Sequence, residues 1–237
     1  MTNLYLIRHG EAKSAAQNFI GDGGLSPLGV RQAERLRDRL LATKEIAADI
    51  FIASTFPRAK QTAEIISPAI GVPLTFTDDI QEMRPGEAEG MSVEEFRQTF
   101  GEPDFEADPY RPISPGGENW PQFMLRMGTA LDRILRVHAG KTIVLVCHGG
   151  IINGSFLYFF GMGAWTLPST NFYTRNTSIT QWQQFATFRQ ETRWRLMKYN
   201  DAFHLYDIGS SERIPWEKIL SSPASDDDKP STPLQPE

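Results

Sequence analysis

The chain has 237 residues, 40% of them apolar and 22% charged, with a formal net charge of −5 and a single cysteine, Cys147. That length allows one large α/β domain or two small ones; the acidic balance excludes a global basic field for nucleic acid or an anionic membrane, and one cysteine excludes an internal disulfide. No apolar run reaches the roughly 18 residues of a membrane span, and no basic segment leads into a long apolar stretch at the N-terminus, so a soluble protein of the reducing cytoplasm is expected, with no nucleic-acid or membrane partner.

In chain order, Tyr5 to Ile7 lies in a short apolar run and predicts a buried strand. Ser26-Pro27 opens a helical pattern in which Leu28, Ala33, Leu36 and Leu40 recur at spacings of three to five. Asp49 to Ala53 reads as a second strand. Pro57 at a first helical turn and the run Ala59 to Ile70 predict a second helix. Leu74 to Thr77 reads as a third short strand. Between Glu82 and Gly117 glycine and proline are frequent, and only Val93 to Phe100 has a helical pattern. Trp120, Phe123, Met124, Met127, Leu131, Ile134 and Leu135 then form a long amphipathic stripe.

Thr142 to Val146 is the strongest strand, its unbroken apolar run fitting a central parallel strand covered on both faces. Apolar residues dominate again from Ile151 to Phe160, and Ile179 to Phe185 with Trp194 to Tyr199 predict a closing antiparallel pair. This alternation predicts an α/β fold over residues 1–210, a mostly parallel doubly wound sheet with helices on both faces. Residues 211–237 form a C-terminal extension. From Ser221 onward it is rich in Ser, Pro and Asp, with Leu234 the one aliphatic residue, and is expected to be disordered.

Three strand exits carry unusual residues: Arg8-His9-Gly10, Ser54 to Arg58, and His148-Gly149-Gly150. Ligands of α/β sheets sit beyond the carboxyl ends of the strands, and a parallel sheet would bring these three clusters to one edge. Two guanidinium forks suit a phosphate, glycines let backbone N–H groups approach it, and a helix starting after His148 would add its own donors. One neutral imidazole can attack phosphorus in line and become a phosphohistidine, while the other, protonated beside the phosphate, neutralises the equatorial oxygens. An alkoxide leaving group also needs a proton; Glu82, Glu87 and Glu89 are candidates to supply it and then to activate water.

These residues sit in blocks that resemble the histidine phosphatase superfamily. "LIRHGEA" resembles its signature, "LSPLGVRQAERL" its first helix, and "STFPRAKQTAEII" the segment with the second arginine. "QEMRPGEAEG" resembles the acid loop, "PGGENWPQFMLRM" the Gly-Glu loop and its helix, and "LVCHGGII" the second-histidine strand. Six blocks in order, from about Asn3 to about Leu205, imply a phosphoglycerate mutase-like three-layer sandwich. The resemblance also implies His9 as nucleophile, Arg8, Arg58 and His148 as phosphate ligands, Glu82 as proton donor, Asn18 as a further phosphate contact, and Glu11 as a support of the nucleophile loop. Many relatives carry a Gly-Glu-Trp-Glu-Gly pattern in the acid loop, where this chain has Ala88.

The remaining conspicuous residues read as structural: His138 and His204, the buried filler Cys147, and the solvated run Asp226 to Asp228. The four histidines show no His-x-x-x-His spacing, so neither metal nor cofactor is expected. The expected activity is metal-independent hydrolysis of a phosphomonoester, either a small phosphorylated metabolite or a phosphoprotein. The alternatives are a phosphoglycerate-type mutase, against which "HGGIIN" stands in place of His-Gly-Asn-Ser-Leu-Arg, and a non-catalytic phospholigand-binding scaffold. Substrate selection is expected from Met83 to Gly117 and from the region after Ile151, with Trp165, Phe172 and Tyr173 as candidate lining residues. No oligomeric state can be read.

Overall fold

A computed structural model describes residues 1–101, 104–163, 170–189 and 191–206. Trp165 and the expected C-terminal extension lie outside the described residues. The elements in chain order are β1 (Asn3–Arg8), α1 (Lys13–Gln17), α2 (Pro27–Thr43), β2 (Ile50–Ser54), α3 (Pro57–Ile70), β3 (Leu74–Thr77), α4 (Val93–Phe100), α5 (Trp120–Val137), β4 (Thr142–Cys147), α6 (Gly149–Phe160), β5 (Ile179–Ala186) and β6 (Thr192–Asp201). All the expected strands and helices form, and α1, too short for a periodicity signal, is the one addition among the α-helices.

The sheet runs β3-β2-β4-β1-β5-β6. β1, β2, β3 and β4 are parallel, and β5 joins β1 antiparallel and pairs with β6. Strand alternation divides the core in two. Leu4, Leu6, Ile143, Leu145 and Cys147 pack under α5 and α6, with the stripe of Phe123, Met127 and Leu131. Tyr5, Ile7, Val144 and Val146 pack under α2 and α3, against Leu36, Ala63 and Ile66. Each central strand thus feeds both faces, which is why β4 reads as an unbroken apolar run. The result is the expected three-layer α/β sandwich.

The helix starts are encoded locally. Ser26 caps α2 through Gly29 N–H, Ser92 caps α4 through Glu95 N–H, and Asn119 forms a reciprocal capping box with Gln122 at α5. The chain leaves β1 toward the α2 face and leaves its neighbour β4 toward the α6 face. Two adjacent strands whose connections part to opposite faces open a crevice at their carboxyl ends. No helix among the described residues is long and apolar enough to cross a membrane.

Candidate active site

Register builds the site. Arg8 pairs with Cys147, and Ile7 and Ala53 both align with Val146, so the ends of β1, β2 and β4 stand side by side. The His9 N–H donates to the Cys147 carbonyl at 3.0 Å, and the His9 and His148 ring centroids lie 5.1 Å apart. Ser54, last in β2, meets His148 Nε2 at 2.8 Å. Arg8, His9, Arg58, His148 and Glu82, far apart in sequence, therefore converge.

His9 is 6% exposed. Its Nδ1 lies 2.6 Å from the Gly10 carbonyl, which can only accept, so Nδ1 carries the proton and Nε2 holds a lone pair. The Arg58 Nε–H donates to that Nε2 at 3.0 Å. Burial, reinforced by Arg58 and Arg8, pushes the His9 pKa well below the usual imidazole range, while the Gly10 carbonyl pulls the other way. The imidazole is held neutral with one nitrogen available.

Arg58 sits in the first turn of α3, where a cation faces the positive end of the helix dipole. The protein supplies a compensating carboxylate: Asp22, its side chain 3% exposed, pairs with Arg58 Nη1 at 3.1 Å and accepts the Arg58 backbone N–H at 3.2 Å. Arg8 donates through Nη1 to the Thr174 carbonyl, and its Nε is buried without a protein partner. His148 is fully buried behind His9, with its Nδ1 likewise unpartnered. Burial first, then Arg58, His9, Arg8 and Arg126, push its pKa well below the usual value.

Glu82 accepts the Gly150 N–H at 2.9 Å and the Met83 N–H at 3.1 Å. A Cβ on Gly150 would overlap the Glu82 carboxylate, so the glycine makes room for that acid and gives it the helix-terminal N–H. Gly10 is glycine for a second reason unrelated to an anion: a Cβ there would strike the Gly29 backbone at the start of α2. Packing thus accounts for both glycines, and their N–H groups have protein partners, Glu82 for Gly150 and the Thr62 hydroxyl at 3.0 Å for Gly10. Glu11 accepts the Ser26 hydroxyl at 2.7 Å, tying the loop after His9 to the α2 cap. Glu89 accepts the Asp22 N–H at 3.1 Å, and Ala88 is fully buried.

No local pattern points to the segment from Thr174 to Ser178, which braces the strand end that carries His9. Asn176 Nδ2 donates to the His9 carbonyl at 3.0 Å, Thr177 N–H donates to the Arg8 carbonyl at 3.0 Å, and Arg8 N–H donates to Ser178 at 3.2 Å. Thr177 has φ +54°, a left-handed conformation costly for a β-branched residue. Its hydroxyl donates to the Asn176 carbonyl and so accepts from His204 Nε2, both at 2.8 Å. His204 is structural as expected, yet it clasps the loop that holds His9. Burial first, then Arg39, lowers its pKa to about 3.

A cleft of about 400 Å³ opens above Arg8, His9, Arg58 and Glu82, walled by Ser14, Asn18, Phe19, Ile20, Val93 and Asn176. His148 lies beneath it, outside the lining. Asn18 caps α1 at φ +56°, and its carbonyl accepts the Val93 N–H at 3.2 Å. Of the expected selection regions, Val93 and Asn176 reach the cleft, and residues 12–21 supply most of the rest. Phe172 instead stacks on Phe156 at 3.9 Å and Tyr173 is exposed, so neither lines the cleft.

Comparison with known proteins agrees with this geometry. The family model for the histidine phosphatase superfamily (branch 1) matches residues 4–202. An uncharacterized phosphatase, PhoE, of Bacillus subtilis is 30% identical over 86% of this chain and 97% of its own. A probable phosphoglycerate mutase, GpmB, of Salmonella paratyphi C is 29% identical over 82% of this chain and 88% of its own. A solved phosphoserine phosphatase of Entamoeba histolytica, in complex with 3-phosphoglyceric acid, superposes with a TM-score of 0.67 at 26% identity, covering 86% of this chain and all of that one.

Proposed function

The chain belongs to the histidine phosphatase superfamily (branch 1), a phosphatase by its relatives, and from that premise we propose that it hydrolyses phosphomonoesters through a phosphohistidine on His9, without a metal. The observation that carries this reading is the tautomer of His9: proton on Nδ1 toward Gly10, lone pair on Nε2 beside Arg58. In the proposed reaction Nε2 attacks phosphorus as the ester P–O bond breaks, so one P–N bond replaces one P–O bond. Arg8 and Arg58 bind the nonbridging oxygens, with Asn18 at the rim of the same cleft. Arg58 exchanges its bond to Nε2 for one to phosphate as substrate enters.

His148 meets the phosphoryl group from the buried side through its unpartnered Nδ1. A dianion arriving between the histidines and arginines offsets the cations that keep His148 neutral, and so favours its protonation. Glu82 gives its proton to the leaving oxygen, then takes one from the water that cleaves the P–N bond, returning His9 to its starting state. Each Glu82 oxygen receives one backbone N–H and keeps a second lone-pair direction for this exchange.

The test is release of phosphate from p-nitrophenyl phosphate in the presence of EDTA, with trapping of an acid-labile phosphoenzyme. His9→Ala is expected to lower kcat by about 10³-fold or more. Activity that vanishes with chelator, or survives in His9→Ala, overturns the mechanism. Conversion of 3-phosphoglycerate to 2-phosphoglycerate, stimulated by 2,3-bisphosphoglycerate, would favour the mutase. Tight phosphoester binding without turnover would favour a scaffold.

A further inference from the structure

We propose that the cleft selects phosphomonoesters whose alcohol is uncharged and apolar, and discriminates against alcohols carrying a carboxylate or a second phosphate. This deepens the phosphatase reading and rests on it. Arg8 and Arg58 flank His9 and belong to the transferred phosphoryl group, and Arg58 already carries Asp22 on its other side. Beyond these two, the other acidic or basic side chains lining the cleft among the described residues are the carboxyl groups of Glu11 and Glu82. No lysine or further arginine lines it among the described residues.

The cleft's apolar lining is Phe19, Ile20 and Val93, each half-buried, with Ala15, beside the uncharged polar Ser14, Asn18 and Asn176; the leaving group is assigned to the apolar part. It is also fixed in place. The Ile20 N–H donates to Met91, Gly90 N–H donates to Ile20, and Val93 N–H donates to Asn18, at 2.8, 2.9 and 3.2 Å. Two chain segments laced together in this way present a preformed surface, so a ligand does not have to order it. The cleft's 400 Å³ lies in the range of small-molecule sites and holds a phosphoryl group with one ring-sized substituent.

A carboxylate placed on this wall would lose water, gain no cation and face two acids. An aryl or alkyl group would exchange water for apolar contact. Phe19, Ile20 and Val93 are therefore assigned as specificity-determining residues.

The test compares esters with similar alkyl leaving groups, so that chemistry is matched: benzyl phosphate against phosphoserine and 3-phosphoglycerate. Benzyl phosphate is expected to lead both in kcat/KM by about tenfold or more. Val93→Lys, at the first residue of α4, places a cation on the wall; it should raise kcat/KM for 3-phosphoglycerate and lower it for benzyl phosphate. Equal or better turnover of phosphoserine or 3-phosphoglycerate by the unmodified enzyme overturns the proposal, as does an unchanged ratio in folded Val93→Lys. Binding to His9→Ala, by calorimetry, separates selection from catalysis. Benzyl phosphate should bind more tightly than 3-phosphoglycerate there, and the reverse order sinks the selectivity whatever the turnover. An enzyme that binds in the expected order but hydrolyses nothing sinks the phosphatase reading instead.

Discussion

The His9 Nε2 is met by the Arg58 Nε–H at 3.0 Å, so the nitrogen proposed to react is also hydrogen-bonded to a cation. Such a contact lowers that nitrogen's affinity for protons without removing its lone pair. Glu82 is positioned with similar economy, by two backbone N–H groups and the missing side chain of Gly150. Glu82→Gln should slow alkyl phosphates about 10²-fold or more while affecting p-nitrophenyl phosphate much less, because a good leaving group needs little protonation. Gly150→Ala should displace the carboxylate and reproduce the same leaving-group dependence at roughly tenfold. Steady-state kinetics over a series of esters measures both, and equal slowing of all esters would remove Glu82 as the acid.

At the scale of elements, the bracing segment between α6 and β5 matters as much as the strands it supports. His204, in the single turn Phe203–Leu205, donates to Thr177 and thereby holds Asn176 against His9. His204→Ala should cost about 1–3 kcal/mol of stability in denaturant unfolding, since a buried hydroxyl loses its donor. It should also lower kcat in the fraction that remains folded, and His204→Gln, with a donor in a comparable place, should recover part of both. Full activity in folded His204→Ala would show that the clasp does not reach His9.

These elements also show what a sequence can carry. β1 and β4 were legible because burial on both faces leaves an unbroken apolar run, and the residues at their ends stood out as polar against it. α5 was legible from its stripe and cap. Asn176, Thr177 and His204 were not, because their role depends on partners 167 positions away for Asn176 and 27 for His204, and no local pattern encodes such a pairing. Asp22 is silent in the sequence for the same reason: one loop carboxylate looks solvated until α3 is laid beside it. The glycines stand out in the sequence, but the reasons for them lie in neighbours supplied by the fold.

The whole molecule encloses three histidines that burial holds in the neutral form, His9, His148 and His204. For His204 the folded value is about 3 against an ordinary 6.5, so between those limits the unfolded chain binds the extra proton. Stability therefore falls as pH drops through that window, by at most about 1.4 kcal/mol per pH unit from this residue, and His9 and His148 act in the same sense. Asp201, held down to about 2 chiefly by hydrogen bonds from Arg39, adds a loss that begins below the usual carboxylate value of 3.8. Denaturant midpoints taken from pH 7.5 down to pH 4 should decline steadily, and folded His204→Gln should decline less steeply. A flat profile would contradict the burial of neutral imidazoles.

The brace on His9 has a consequence for how the enzyme is made. Asn176 follows His9 by 167 positions, and the clasp on its loop comes later still. At ribosomal speeds of 5–20 residues per second, His9 waits roughly 10–30 s before its carbonyl has a partner. During translation the chemistry-bearing end exists without its scaffold, and the last-made strands and turn arm the first.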